Sequence, residues 1–480
     1  MAAADDQAAT GARAADMNMI KPPIVRSAGR LNKALFDKTF NIAAAAVKEP
    51  KKIGPYQKAL EKSKDLLRVS RLSSIFPHPD PSLAAAGRKC ILLRPGISAT
   101  APETWGEVLK EGVEKDDLNV VSYELKIGYD FWNSHEILSS ILPEEYAEDI
   151  PTSYNCVGHV AHLNLRKDFE PYKHIIGQVI GEKNNHIRTV INKISNVGTE
   201  SEFRTFNYEV LFGPDDLNVE VKEAGCTYKF DYSKVYWNSK LDQEHKRIFE
   251  LVQPGEVLCD AFAGIGPFAI PAGKRGVFVW ANDKNPESYR VMERAAKQNK
   301  AHQYVRPFNR DAKDFIRFAA DDVMRASSQG ECVTVTLPGP KFRRSERATA
   351  PKPQTKRVPL PPTISHYVMN LPALAITFLG SFRGLYAGHE ALFSPRTKTE
   401  LPMIHVHCFD YMCHKDDDMA KVRESVSKRV SEELGFEVRP GDASNAGEVS
   451  VRDVRAVAPN KTMYCASFRL PPEVAFAPRG

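Results

Sequence analysis

Val257-Leu-Cys-Asp-Ala-Phe-Ala-Gly-Ile-Gly-Pro-Phe-Ala269, followed by Val277-Phe-Val-Trp-Ala-Asn-Asp-Lys-Asn-Pro286, decides the fold of this 480-residue chain. Val257–Ala261 reads as a buried strand, a glycine turn follows, and Phe268–Lys274 reads as a helix. Val277–Ala281 is a second strand, ending at an Asp-Lys-Asn-Pro turn before a long helix, Glu287–Asn299. Val305–Asn309 begins a third strand, and Asp311–Ala320 follows as a helix. This βαβαβ alternation predicts a parallel sheet with helices on both faces, a Rossmann-like α/β fold. Ligands of such sheets sit beyond the carboxyl ends of the strands.

Downstream, residues 321–363 interrupt the pattern with Ser, Pro and basic residues. The sheet resumes at His366–Met369 and Ile404–Phe409, then closes with a helix, Ala420–Leu434, and the strands Val449–Val457 and Met463–Arg469. Upstream, residues 118–228 read as a mixed α/β middle domain. It has a helix at Tyr129–Leu142, strands at Gly158–Leu165 and Tyr172–Val179, and a strand or helix at Ile187–Ile194. Phe203–Phe212 and Leu217–Lys222 are strands flanking the turn Gly213-Pro-Asp215. Residues 31–117 form a small N-terminal domain, with two helices between Leu31 and Leu67 and two β-rich pieces in Val69–Ser98. Residues 1–30, small, polar and aperiodic, read as a disordered leader. Residues 229–480 are the sheet domain, with a basic flexible insert at 321–363.

Composition narrows the class. With 42% hydrophobic and 26% charged residues, the chain is neither disordered nor collagen-like. Its longest apolar run, Tyr367–Phe382, is broken by Asn370 and Pro372, so a soluble protein without membrane contact is expected. The formal charge of +6 is mild, and Lys341–Arg357, with seven basic residues and one acid, equals that excess by itself. Eight scattered cysteines without a CxxC pair predict free thiols in a reducing compartment. Met1–Gly29 lacks the apolar core of a secretory signal. Arg13, Arg26 and Arg30 suit an organelle-targeting leader, whereas Asp5, Asp6 and Asp16 oppose one.

The glycine turn has the form GxGxx(G/A), through Gly264, Gly266 and Ala269. Asp283 stands about 20 residues on, where an acid grips ribose hydroxyls. The plainer reading is a glycine turn with a solvated Asp. A dinucleotide needs backbone N–H groups at the helix start to hold pyrophosphate, and Pro267 removes one. The turn therefore suits a nucleoside without phosphates, and S-adenosylmethionine is that nucleoside. Asp311, just past the third strand, is placed to accept from an adenine amino group. Asn370, in Asn370-Leu-Pro372 after a strand, offers two donors and an acceptor to a base edge.

The run Val235-Tyr-Trp-Asn-Ser-Lys-Leu-Asp-Gln-Glu-His245, then Asp260–Ile270, then Asn282-Asp-Lys-Asn-Pro-Glu-Ser288, resembles eukaryotic and archaeal tRNA (guanine-N1)-methyltransferases. The likeness extends through Gly158-His-Val-Ala-His-Leu-Asn-Leu165, Tyr172-Lys-His-Ile-Ile-Gly-Gln178, Asn370-Leu-Pro372 and Val457-Ala-Pro-Asn-Lys461, spanning about Leu118 to Leu470. It implies a class I S-adenosylmethionine-dependent methyltransferase domain and an N-terminal domain that checks tRNA shape. It also implies methyl transfer to N1 of guanosine 37, 3′ of the anticodon, which supports reading-frame maintenance. By that resemblance Glu244 matches the general base, Arg204 the arginine that positions guanine and stabilises developing charge, and Asn370 the NPP/NLP asparagine. Cofactor contacts carry over to Asp283, Lys284, Asp311 and Ala312, beside Asp260, Gly264 and Gly266 of the turn. His245 falls where a basic residue meets the methionine carboxylate, and Tyr236 where an aromatic lines the pocket. The implied partner is tRNA, the implied state a monomer, and the implied location the cytoplasm with mitochondrial and nuclear pools.

The pattern departs from the family at Ser239-Lys-Leu241 and Lys222-Glu-Ala-Gly225, where Pro-Arg-Leu and Arg-Glu-Asn-Gly are usual. Two other activities stay open at this point: an aminocarboxypropyl transferase of wybutosine synthesis with the same cofactor, and an NAD dehydrogenase, for which Pro267 is awkward. His405-Val-His-Cys408 with Cys413-His414 has metal-ligand residue types. On a strand, however, His405 and His407 share one face and Cys408 takes the other, so a structural cluster is expected and no metal.

Overall fold

The structure is a computed structural model describing residues 20–26, 30–194, 203, 205–336, 354–393, 399–411, 418–458 and 460–479. Most of the expected leader, Arg204, Cys413, His414 and much of the basic insert lie outside the described residues. No helix among the described residues is long and apolar enough to cross a membrane. The chain forms two compact units: Met1–Tyr154, Leu163–Asn192 and Val210–Pro214, and Asn155–His162, Lys193–Glu209 and Asp215–Gly480.

In the first unit, β1 (Lys38–Val47) pairs antiparallel with β3 (Lys89–Leu92) and, through ten consecutive residues, with β4 (Leu118–Ile127). β2 (Ile75–Pro77) completes the order β2-β3-β1-β4 among the described residues. The first of the two helices expected before Leu67 is therefore a strand. Ala43–Ala46 favours helix intrinsically, but these side chains are all buried, and pairing with β4 overrides the preference. The second expected helix is present as α1 (Ile53–Lys62), and with α2 (Glu107–Glu114) it buries Leu60 and Leu109 against Ile91 and Leu118. Because β4 belongs to this sheet, the N-terminal domain does not end at residue 117, and 118–228 is not a separate compact body.

Tyr172–Val179, expected as a strand, is helical from Lys173 on, in α4 (Lys173–Lys183), which follows α3 (Ser134–Ile141). Its β-branched run suggested a strand, yet Ile175, Ile176, Val179 and Ile180 bury one helical stripe. Gly181 of that stripe lets the ring of Phe212 approach where a Cβ would collide with it. Ile187–Ile194 resolves to a strand, β7 (Thr189–Lys193), and β8 (Tyr208–Phe212) precedes the turn at Gly213.

The second unit opens with the hairpin β5 (Asn155–Val157)–β6 (Val160–Leu163), then the ribbon β9 (Asn218–Glu223)–β10 (Cys226–Asp231). Its main sheet has the order β13-β12-β11-β16-β17-β20-β19-β18 among the described residues. These are β11 (Val257–Asp260), β12 (Phe278–Asn282), β13 (Val305–Phe308), β16 (His366–Met369), β17 (Met403–Asp410), β18 (Arg439–Pro440), β19 (Glu448–Ala458) and β20 (Lys461–Arg469). β11, β12, β13, β16 and β17 run parallel, and β20 pairs antiparallel with β17. The helices α5 (Asp242–Leu251), α6 (Ala269–Lys274), α7 (Pro286–Gln298), α8 (Ala312–Ser328) and α9 (Asp418–Leu434) accompany it. The expected interruption at 321 does not occur, because α8 runs on to Ser328, burying Val323 and Ala326. Next comes an antiparallel ribbon, β14 (Cys332–Thr336) with β15 (Thr355–Pro359), joined through residues outside the described set.

Alternate residues of the sheet go to opposite faces. Cys259, Tyr367, Met369, Val406, Cys408, Tyr464 and Ala466 join one apolar core with Phe315 and Ala319 of α8 and Val422 and Val426 of α9. The intervening residues Asp260, His405, His407, Cys465 and Ser467 face the other way. This agrees with the expectation that Cys408 points away from His405 and His407.

Candidate active site

Strand order reverses between β11 and β16, since β12 continues on one side of β11 and β16 on the other. A crevice at the carboxyl ends is expected at such a switch point. Two asparagines tie the strand ends together there. Asn282 donates through Nδ2 to the Arg310 carbonyl at 3.1 Å and accepts from the Arg310 N–H at 2.9 Å, while Asn309 donates to the carbonyls of Asp283 and Lys284. The glycine turn leaves β11 with Gly266 at φ +95°, where a Cβ would lie 2.7 Å from Ile270. Asp283, at the end of β12, accepts from the Gly264 N–H at 2.8 Å and from the Asn285 N–H at 2.9 Å. The second strand end thus fixes the shape of the turn.

A cavity opens over these ends, enclosing about 860 Å³ with the solvent at its mouth included. Of the residues read from the sequence, Tyr236, Gly264, Asp283, Lys284, Asp311, Ala312 and Asn370 line it. Asp311 caps α8 by accepting from the Lys313 N–H and pairs with Lys284 Nζ at 3.1 Å. The Lys313 N–H and then Lys284 hold its carboxyl below the usual range. Sequence reasoning missed the apolar wall, Phe262, Leu371, Leu374 and Phe378, in which the rings of Phe262 and Phe378 meet edge to face at 5.0 Å. An aromatic inside a glycine turn was the available signal for Phe262. Asn370 carries the sharpest feature: its Oδ1 is buried without a hydrogen-bond partner among the described residues. A buried acceptor of this kind needs a donor.

Gly266, Asp260, Glu244 and His245 do not line the cavity. Gly266 serves the turn's geometry. Asp260 is fully buried at the end of β11, and burial pushes its carboxyl well above the usual range. His245, expected at the methionine carboxylate, is turned elsewhere than the cavity wall: Nδ1 meets Glu223 Oε1 at 2.6 Å, and the ring packs edge-on against Phe268. The reason is helical geometry. Neighbours on α5 point about 100° apart, so Glu244 and His245 cannot both turn toward the sheet end.

Glu244 does turn toward it. Its buried carboxylate accepts from His407 Nε2 at 2.7 Å and from Arg247 Nε and Nη2 at 2.7 and 2.6 Å. Burial alone would raise its pKa, but the bonds from Arg247 and His407 outweigh burial and hold it at about 2. His407 lies one step beyond Val406, which pairs with Met369, so the imidazole sits level with Asn370 one strand away. Glu244 and Asn370 therefore share the carboxyl edge of the sheet. Glu244, His407 and Cys465 offer ligand atoms within 4.8 Å of one another, but the Arg247 guanidinium across both carboxylate oxygens opposes a cation there.

A doubly wound sheet with a nucleoside-sized cavity at its switch point, walled by paired acids, an asparagine and aromatic rings, defines a class I, Rossmann-like methyltransferase fold. Residues 134–216 match the TYW2 N-terminal domain, and residues 219–332 match the TRM5/TYW2 methyltransferase domain. A tRNA (guanine(37)-N(1))-methyltransferase of Neurospora crassa is 56% identical over 476 residues, covering 99% of this chain and 98% of the relative. The Saccharomyces cerevisiae enzyme of the same name is 38% identical over 94% of this chain and 95% of its own. The chain belongs to the tRNA (guanine(37)-N(1))-methyltransferase family. Among solved structures, Trm5b from Pyrococcus abyssi has the same fold, with a TM-score of 0.54 at 21% identity over 89% of this chain and 99% of that one.

Proposed function

We propose that this protein transfers a methyl group from S-adenosylmethionine to N1 of guanosine 37 in tRNA. The observation that carries the reading is near-full-length identity to relatives of that activity, at 56%, joined to a cavity of matching chemistry. The apolar wall of Phe262, Leu371 and Phe378 suits an adenine face, and Asp283 suits ribose hydroxyls. Asn370 Oδ1 lacks a donor among the described residues, and the amino group of the cofactor's methionine half is a donor that fits it. When bound, the cofactor supplies an electrophilic methyl on a sulfonium.

What remains for the protein is alignment and a proton. Guanine N1 is a poor nucleophile until its proton leaves, and a carboxylate in reach contributes roughly 10²–10⁴-fold by taking it. Glu244 is that base, ionised at neutral pH and on the same sheet edge as Asn370. Arg204 stabilises the charge that moves onto O6. Tyr236 and Asn370 contact the base. The protein works as a monomer on tRNA. It is cytoplasmic with mitochondrial and nuclear pools, which fractionation of tagged protein checks.

The aminocarboxypropyl transferase and dehydrogenase readings are not favoured, because the near-full-length relatives carry the methyltransferase name. Labelled S-adenosylmethionine and unmodified tRNA transcripts test the proposal. Label is expected on the transcript with G37 and not on one with A37, and the added mass is that of a methyl group. A heavier aminocarboxypropyl adduct, or equal labelling of both transcripts, overturns it.

A further inference from the structure

We infer that His407 is a positioning residue for Glu244, saturating one carboxylate oxygen so that the other receives the guanine proton. The inference rests on the reading of Glu244 as the base. Among the described residues, Oε1 of Glu244 accepts from both His407 Nε2 and Arg247 Nη2, whereas Oε2 accepts from Arg247 Nε alone. A carboxylate offers about four acceptor sites, so the open one lies on Oε2. An ionised carboxylate cannot donate, which fixes Nε2 of His407 as the donor. In the step itself the N1–H bond breaks, an Oε2–H bond forms, and the electron pair stays on N1.

Burial favours this arrangement, since His407 is wholly inaccessible and Glu244 nearly so. The groups facing His407 are Glu244 and Arg247 from α5, Cys465 from β20, Asp260 from β11 and His405 on its own strand. Burial opposes its charge, but Cys465 and Glu244 outweigh burial and raise its pKa to about 10, while Nδ1 has no hydrogen-bond partner among the described residues. The neighbouring polar side chains serve another purpose. His405 hydrogen-bonds His366 at 3.1 Å and Ser467 at 2.8 Å, and burial holds its pKa well below the usual value. His407 alone of the three histidines on this face meets the carboxylate.

The test uses the full chain with a G37 transcript, measuring kcat per folded molecule from pH 3.5 to 8, a range in which the parent's Glu244 stays ionised, and cofactor affinity by calorimetry. The His407→Gln variant keeps a neutral donor for Oε1 but loses the charge. Its kcat at pH 8 is expected within about 10-fold of the parent. Its acid limb moves up by about 1–3 units, the usual effect of removing a nearby opposite charge. Cofactor affinity stays within about two-fold, because His407 does not line the cavity. An acid limb and kcat equal to the parent's overturn the inference, as does a loss confined to cofactor affinity or melting temperature. The Glu244→Gln variant keeps the two failures apart. If it retains the parent's rate, the base assignment falls. If it is inactive while His407→Gln has an unaltered pH profile, only the positioning role falls.

Discussion

On one face of the main sheet, Cys259, Tyr367, Val406 and Tyr464 meet the apolar sides of α8 and α9; on the other, His366, His405, His407, Ser467 and Cys465 stand in a row, with Glu244 and Arg247 closing one end. The same short strands build both. The two-residue period of a strand lets each serve two solvents at once. The apolar face tolerates no unpaired polar group, whereas the polar face pairs most of its groups, Asp260 Oδ2 and His407 Nδ1 being buried without a hydrogen-bond partner among the described residues. Stability and chemistry are thus separated by the thickness of one sheet, and substitutions on its two sides have different signatures.

The largest separation is expected from Glu244→Gln, which lowers the methyl-transfer kcat by roughly 10²–10⁴-fold while S-adenosylmethionine still binds. Single-turnover assays with labelled cofactor measure it, and parental turnover in this variant would erase the distinction between the faces. Across the sheet, Leu379→Ala removes a fully buried side chain of the apolar core and is expected to cost about 2–5 kcal/mol in urea unfolding. Its kcat per folded molecule stays at the parental value.

A third expectation concerns acid. Burial, with a smaller contribution from Arg469, depresses His366 to about 4, below the usual value of 6.5. The unfolded chain binds the proton more readily, so this histidine's contribution to stability is full above about pH 6.5 and is lost as pH falls toward 4. The loss reaches about 3 kcal/mol. A His366→Gln variant should show a shallower fall in melting temperature over that window, and an identical slope would remove His366 from the account. The smallest effect is at the exposed pair Lys284–Asp311, where Lys284→Ala changes stability by no more than about 1 kcal/mol.

Sequence periodicity made the sheet domain readable because its strands alternate locally with helices, and β16 was placed at the residues found, His366–Met369. It also put Asn370 and Asp283 at strand ends. Two segments misled it for opposite reasons. Ala43–Ala46 has helical propensity but pairs with β4 residues 73–79 positions away in sequence, and Ile175–Ile180 has β-branched residues but packs as a helix. The polar row was half legible. His405 and His407 fall on one face by parity alone, but their partners Cys465 and Glu244 come from β20 and α5, and no local pattern announces such contacts.

The β14–β15 ribbon has a consequence for how this family can vary. Thr336 faces Thr355 in register, so whatever chain joins them leaves and re-enters the body at one point. Doubling the length of such a joint costs only about 0.6 kcal/mol in closure entropy. The ribbon works as a socket: its contents can be lengthened or shortened at small entropic cost while the strand ends holding Asp283 and Asn370 keep their places.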